Sequence, residues 1–201
     1  MNLTECDRLF ERIRRSCDPD ELRLCYHRLF EFYPLINYQI GRGSIFWRGR
    51  KSPANGYEFT WELHCPTPEK TNIGRLNNKS EPCLYAATRR TTIFRELDAK
   101  EGDYIHVVGL RILPKRPIKI IAIGDLFHIY KTGHARSIGR DPGKNISRML
   151  NSYDHEHATK ILYVDAFLGD ILSDPNAKDK NYLHTRVLAS TPQSLQFCVE
   201  I

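Results

Sequence analysis

Two arginines, a tyrosine and a glutamate occur in a pattern that could bind a dinucleotide. Arg48 closes the run "IFWR", and Arg75, Tyr85 and Glu96 follow in the stretch 72–97. Guanidinium groups donate paired hydrogen bonds that fit a pyrophosphate, each charge-assisted contact contributing about 1.5–3 kcal/mol. A tyrosine ring offers a flat face, and a carboxylate can support positive charge that develops on a ribose. We therefore expect these four side chains to meet at one ligand.

Arg75 lies in the sequence "GRLN", whose composition is typical of a tight turn. Gly74 permits backbone geometry that other residues avoid, and Asn77 can hold a turn through its side chain. In the ordinary alternative, the arginine is solvated, the tyrosine is half-buried on a strand and the glutamate pairs with a neighbouring arginine. The turn and the second arginine, Arg48, favour a binding site.

Other stretches that resemble known motifs carry no comparable chemistry. The sequence "GRDPGKN" at 139–145 is one residue shorter than a phosphate-binding loop and has no Ser or Thr after its lysine, so a flexible basic loop is expected. The two histidines of "DHEH" at 154–157 diverge on a helix, and we predict a solvated helix start without a metal site. The hydrolase signatures G-x-S-x-G and H-E-x-x-H are absent.

The composition indicates a globular protein with an anionic partner. The 201 residues include 30 basic and 24 acidic side chains, a net charge of +6, which favours a nucleotide, phosphate, acidic protein or nucleic acid without choosing among them. No apolar run approaches the roughly 20 residues of a membrane span, and the N-terminus lacks a secretory core. A cytoplasmic location and no membrane partner are therefore expected. The six irregularly spaced cysteines predict reduced thiols.

Hydrophobic periodicity predicts helices and strands in the order of an α+β protein. Helices are expected over five segments, of which the first two form an N-terminal helical hairpin: 3–16, 20–32, 88–97, 156–173 and 180–190. Strands are also expected over five segments: 41–50, 83–87, 103–112, 117–124 and the tail 195–201. The polar, glycine-rich region 124–145 has no predicted element. We expect a helical extension at 1–43 and a main domain at 44–201.

The run "GRLN" followed by "LYAATRRTTIFRE" resembles the RES domain. In that family a Gly-Arg-aromatic-Asn turn precedes a strand with a tyrosine and a helix that ends in a glutamate. Arg75, Tyr85 and Glu96 fall on those positions, and Leu76 replaces the aromatic residue. The run "FWR" is similar to the family's early arginine strand, which makes Arg48 a counterpart of its first arginine. The likeness spans the predicted main domain.

The resemblance implies an ADP-ribosyltransferase-like fold, with a mixed sheet core and flanking helices, and a toxin of a toxin–antitoxin pair. Such proteins degrade NAD, their substrate, typically with phosphate as co-substrate, to nicotinamide and ADP-ribose phosphate, without a metal. Some members transfer ADP-ribose to a protein instead. The implied partner is a protein antitoxin, often a DNA-binding helix-turn-helix protein that plugs the site, so that nucleic acid is contacted only through the partner.

The resemblance also implies a role for each site residue. The two predicted catalytic residues are Glu96 and Arg75. The residues predicted to bind NAD are Arg48, Arg75, Tyr85 and Asn77. Glu96 would stabilise the charged ribose or bind one of its hydroxyls, as in glycoside cleavage. Tyr85 would stack on the nicotinamide ring, and the two arginines would bind the pyrophosphate or a phosphate nucleophile.

The family's serine follows the last helix, in a strand that ends Tyr-Pro-Ser, and no residue here matches it. Ser190 and Ser194 come too early, so no catalytic serine is predicted. Three alternatives to NAD phosphorolysis stay open: an ADP-ribosyltransferase that modifies a protein, a degenerate nucleotide-binding protein without catalysis, and a basic nucleic-acid-binding module. The basic residues are scattered and form no aromatic-interleaved patch, which makes the last alternative the weakest.

Overall fold

The computed structural model describes residues 1–40, 43–113, 118–135 and 140–191. The chain divides into two compact units. The first, called the helical unit, combines residues 1–38 with the described residues between 119 and 191. The second, called the sheet unit, begins at residue 39 and ends at residue 118. The mixture of helices and strands places the chain in the α+β class, as predicted.

Seven α-helices and four strands follow one another in the described chain. The helices are α1 (Leu3–Arg15), α2 (Pro19–Phe30), α3 (Arg90–Glu96), α4 (Leu126–Thr132), α5 (Arg140–Ser152), α6 (His155–Ser173) and α7 (Leu183–Ser190). The strands are β1 (Asn37–Ile40), β2 (Ile45–Lys51), β3 (Ile105–Arg111) and β4 (Ile118–Ile121). Within the described residues, β1 pairs with β4 and β2 with β3, so each sheet has two strands and the larger mixed sheet stays a prediction.

Side-chain caps start the first two helices. The Asn2 side chain accepts a hydrogen bond from the Glu5 amide at 2.9 Å, and the Glu5 carboxylate accepts one from the Asn2 amide at 2.8 Å. Asp18 caps α2 ahead of Pro19, at a position where the missing N–H of proline costs nothing. The two helices of the predicted hairpin are therefore confirmed.

The hairpin packs against the last helices of the chain within the helical unit. α1 contacts α6, and α2 contacts α7. The Phe10 ring stacks on Phe167 with ring centroids 3.9 Å apart, and Leu29 and Leu188 are fully buried. An amphipathic helix needs an apolar surface to cover, and α6 and α7 provide it. The hairpin thus shares a compact unit with the C-terminal helices, and the predicted boundary between residues 43 and 44 stays a prediction.

A buried carboxylate joins three segments of the helical unit. Asp165 on α6 accepts hydrogen bonds from the Tyr33 hydroxyl, from the Gly124 amide at 2.9 Å and from the Phe127 amide at 3.1 Å. It is fully buried. Burial raises the pKa of Asp165, and the hydrogen bonds, which favour its charged form, offset part of the rise. Asp165 therefore fixes the start of α4 on α6.

Two secondary-structure predictions are wrong. The sequence predicts a strand at 83–87, but only Ala87 pairs, through an isolated bridge with Trp47. The region 124–145, which has no predicted element, contains α4 and the start of α5, so the predicted basic loop at 139–145 is also wrong from residue 140 onwards. The helix α4 escapes prediction because its seven residues form only about two turns, too few to establish a helical period. The predicted strand at 195–201 lies outside the described residues.

The antiparallel pair of β2 and β3 forms the frame of the sheet unit. α3 packs on one face of β2, where a Cβ atom on Gly49 would overlap the Ile93 side chain and contact Leu97. Successive side chains of a strand point to opposite faces. Arg48 and Arg50, the neighbours of Gly49, therefore point to the face of β2 that lies away from α3.

Two further features of the described residues concern membrane spans and cysteines. No described helix has both the length and the apolar character that a membrane crossing requires. The described cysteines are free thiols, as predicted from their spacing: Cys6, Cys17, Cys25, Cys65 and Cys83.

Replacing Asp165 by alanine should lower the free energy of unfolding by about 3 kcal/mol, because the Tyr33 hydroxyl and two amides lose their acceptor. Chemical denaturation followed by circular dichroism measures the change. Asp170→Ala removes an exposed acid from the same helix and should alter stability by less than about 0.5 kcal/mol. Equal losses in the two variants would contradict the anchoring role of Asp165.

The raised pKa of Asp165 gives its contribution a pH dependence of defined sign. The folded protein binds the proton of Asp165 more tightly than the unfolded chain, in which the carboxyl has a pKa of about 3.9. The contribution therefore grows as the pH falls towards that value and is lost as the pH rises through the folded pKa. The difference in unfolding free energy between the wild type and Asp165→Asn should move in favour of the wild type between about pH 7 and about pH 4. The opposite trend would overturn the assignment.

Candidate functional site

The hydroxyl group of Tyr85 holds the turn that carries Arg75. It accepts a hydrogen bond from the Leu76 amide at 2.9 Å and donates one to Asn77 Oδ1 at 2.8 Å. The Gly74 amide donates to the Asn77 carbonyl at 3.1 Å and closes the turn. Two predicted site residues from separate segments, Arg75 and Tyr85, therefore share one hydrogen-bonded structure.

The two end residues of this turn make it tight. Asn77 is buried, and its Nδ2 atom donates to the carbonyls of Asn72 and Asn78, each at 2.8 Å. A Cβ atom on Gly74 would lie 2.6 Å from the Tyr85 hydroxyl and 2.7 Å from Asn77 Oδ1, so a larger residue would displace both groups. Asn77 thus holds the turn, as its residue type predicts. Its direct contact with NAD stays a prediction.

Arg48 contacts the same tyrosine from β2. Its side chain is 9% exposed, and its Nη1 atom donates to the Tyr85 carbonyl at 2.8 Å. Its Nε atom is buried and has no hydrogen-bond acceptor among the described residues. Burial lowers the pKa of Arg48, and the positive charge of Arg50 lowers it further. An arginine nevertheless stays charged in proteins, so a buried cation lies beside Tyr85.

Two thiols lie near this cation. Cys65 and Cys83 both raise the pKa of Arg48, which opposes the effect of burial. Burial raises the pKa of the Cys83 thiol, while a hydrogen bond with Tyr85 and the charge of Arg48 offset part of the rise. Cys83 is therefore a neutral neighbour at physiological pH rather than a counter-ion. Sequence reasoning missed Cys83, because a cysteine in an apolar run gives no signal of a nearby charge.

These residues form one group, called the Tyr85 cluster: Arg48, Arg75, Asn77 and Tyr85. Its chemistry suits an anionic ligand. A guanidinium that is buried with an unsatisfied donor is costly unless it gains an acceptor. Tyr85 connects the strand of one arginine to the turn of the other, through its carbonyl and its hydroxyl respectively. A phosphate-bearing molecule is the kind of ligand that two arginines bind best.

Glu96 lies at the end of α3, outside the described contacts of the Tyr85 cluster. Its side chain is exposed and makes no hydrogen bond or ion pair with a described residue, so the alternative of a pair with a neighbouring arginine has no support. α3 packs on the Gly49 face of β2, whereas Arg48 points to the other face. The meeting of Glu96 with Arg75 at one ligand stays a prediction.

The described chain offers no set of three or more His, Cys, Asp or Glu side chains with the spacing of a metal site. In the "DHEH" segment, Asp154 caps α6 by accepting a hydrogen bond from the His157 amide at 2.8 Å. This hydrogen bond, together with the charge of His157, lowers the pKa of Asp154. The segment is the solvated helix start that the sequence predicts.

Replacing Tyr85 by phenylalanine should lower the free energy of unfolding by about 1–3 kcal/mol, because the Leu76 amide and Asn77 Oδ1 lose their shared partner. Urea denaturation measures the loss. Tyr104→Phe removes a hydroxyl from another exposed tyrosine of the sheet unit, and the expected change is below about 0.5 kcal/mol. If the two variants were equally stable, the hydroxyl of Tyr85 would not hold the turn.

The structure thus connects four of the five predicted site residues through Tyr85 and leaves the fifth, Glu96, on the neighbouring helix. The glycine and the asparagine of "GRLN" were the sequence signals for this arrangement. Comparison with known proteins finds no matching family model, no matching curated protein and no matching solved structure.

Proposed function

We propose that the chain is an NAD-degrading enzyme of the RES type, which cleaves the bond between nicotinamide and ribose with phosphate as the acceptor. The observation that carries the proposal is the Tyr85 cluster, in which Tyr85 hydrogen-bonds both Arg48 and the turn of Arg75. The RES domain, which the sequence resembles, has the same residue types in the same order along the chain. An ADP-ribosyltransferase-like core belongs to the same proposal.

The reaction requires stabilisation of a charged sugar. The bond between ribose C1′ and the pyridinium nitrogen breaks, and its electron pair leaves with neutral nicotinamide. A phosphate oxygen then forms the new bond to C1′, which gives ADP-ribose phosphate. Positive charge moves from the ring to the ribose in an oxocarbenium-like transition state, as in glycoside cleavage. The leaving group needs no proton, so the site requires a carboxylate and anion-binding groups rather than a general acid.

Each residue then has a defined task. Glu96, whose carboxylate is exposed and has no described partner, stabilises the ribose charge or binds a ribose hydroxyl. Tyr85 is 37% exposed as a residue while its hydroxyl is fixed, so its ring is held in place for stacking on nicotinamide. Arg75, on the turn held by Tyr85, binds the pyrophosphate or the phosphate nucleophile, and Arg48 adds positive charge from β2.

An enzyme that consumes NAD harms the cell that makes it. The proposal therefore includes a toxin in the cytoplasm and a protein antitoxin, of the helix-turn-helix type, that occupies the site. The net charge of +6 suits an acidic surface on such a partner.

A second candidate is a protein that binds the dinucleotide without cleaving it. The packing of α3 favours this candidate, because Ile93 fixes the helix of Glu96 on the face of β2 away from Arg48. In this case the arginines and Tyr85 bind the ligand, and no carboxylate reaches the ribose.

Incubation with NAD and phosphate should release nicotinamide, which chromatography measures. Glu96→Gln should lower the rate about 10²–10³-fold, because a neutral amide cannot stabilise the ribose charge. Glu101→Gln, which neutralises an exposed acid shortly after the same helix, is the matched control and should leave the rate unchanged.

The remaining outcomes separate the candidates. NAD binding without release of nicotinamide, with or without phosphate, supports the non-catalytic candidate. Transfer of label from NAD to a macromolecule supports protein modification. The absence of both binding and release would refute a dinucleotide site.

A further inference from the structure

Phe59 and Trp61 form an exposed pair of nearly parallel aromatic rings. Their ring centroids lie 6.0 Å apart, their planes differ by 16°, and 49% and 64% of the two residues are exposed. Among the stacked or tilted ring pairs of the described chain, this is the one in which both members are exposed. Large exposed apolar patches mark interaction sites, so this ordered pair of rings is a candidate contact surface.

The pair is held in place by a short 3₁₀ helix, Thr60–Leu63, which is capped by Phe59. The Glu62 carboxylate accepts a hydrogen bond from the Phe59 amide at 2.9 Å, and the Phe59 carbonyl accepts one from the Glu62 amide at 3.2 Å. Leu63, at the end of this 3₁₀ helix, is buried. The two rings are therefore presented on an ordered backbone rather than on an extended loop.

This helix lies along the strand that carries Arg48. Arg50 Nη1 donates to the Glu62 carbonyl at 2.7 Å, and the helix packs against β2. The helix therefore lies beside β2 on the face of the two arginines. Arg48 lies two residues before Arg50 on β2, about 7 Å away along the same face of the strand.

We propose that Phe59 and Trp61 form a stacking platform for the adenine base of the dinucleotide. The inference rests on the proposed function, because it assigns the second half of the same ligand. The rings bind a flat base through π-stacking, which does not depend on its hydrogen-bonding pattern. Arg48 and Arg50, on the adjacent strand, supply the charge that attracts the phosphates next to that base.

Binding of AMP and of nicotinamide mononucleotide tests each half of the ligand separately. Trp61→Ala should weaken the binding of AMP and of NAD about tenfold, and it should leave nicotinamide mononucleotide unaffected, because only the first two carry adenine. Trp61→Phe, which keeps a flat ring, should restore most of the affinity. In turnover, Trp61→Ala should raise KM for NAD and leave kcat unchanged. Calorimetry and the nicotinamide-release assay measure these effects.

The matched control is Tyr104→Ala, which removes another exposed ring of the sheet unit and should change none of these values. Trp61 is exposed, so its variants should unfold at the temperature of the wild type. Equal AMP affinity in the wild type and Trp61→Ala, or no AMP binding to the wild type, would overturn the platform.

The two proposals can fail independently. AMP binding that depends on Trp61, in a protein that never releases nicotinamide, leaves the platform standing and refutes the catalytic function. Nicotinamide release with an unchanged KM for NAD in Trp61→Ala supports the catalytic function and refutes the platform.

Discussion

The buried guanidinium of Arg48 is the constraint on which the candidate site depends. A buried cation without a carboxylate partner is stable only if hydrogen-bond acceptors replace part of its lost hydration. Among the described residues, the Tyr85 carbonyl is such an acceptor, so the segment around Tyr85 must stay beside β2. Because the hydroxyl of the same residue binds the turn at 74–77, the position of Arg75 depends on a charge buried in another segment.

The same constraint explains why the predicted strand at 83–87 does not form. The apolar run "CLYAA" has the composition of a strand, and a strand needs its amides and carbonyls in a ladder. Here the Tyr85 carbonyl accepts a side-chain donor, and pairing is limited to Ala87 with Trp47. Composition indicates whether a segment is buried, but it does not indicate which donor binds a given backbone carbonyl. The wrong prediction and the Tyr85 cluster therefore involve the same carbonyl.

The helices α1, α2 and α6 and the strand β3 could be predicted from the sequence, because their patterns of apolar residues extend over most of each element. Their burial follows from their own pattern. The packing partners of these elements could not be predicted. An apolar face shows that a helix packs against another element, but it does not show which one. The sequence therefore predicts the two helices of the hairpin but not that α6 and α7 cover them. In the site, the residue types of Gly74 and Asn77 indicated a turn, whereas the buried state of Arg48 depends on tertiary packing alone.

The path of the chain limits where Glu96 and the Tyr85 cluster can share a ligand. Tyr85 contacts Arg48 on one face of β2, Ala87 pairs with Trp47 at the edge of this strand, and α3 then packs on the other face. The backbone thus passes around the edge of β2 between the tyrosine and the glutamate. A ligand that contacts both must extend along the same edge, which a free phosphate is too small to do. In the proposed function, the dinucleotide would have its phosphates on the arginine side and its ribose towards α3. The separation of Glu96 from the arginines is therefore a constraint on the proposal, because a single ligand can contact both only if it is extended.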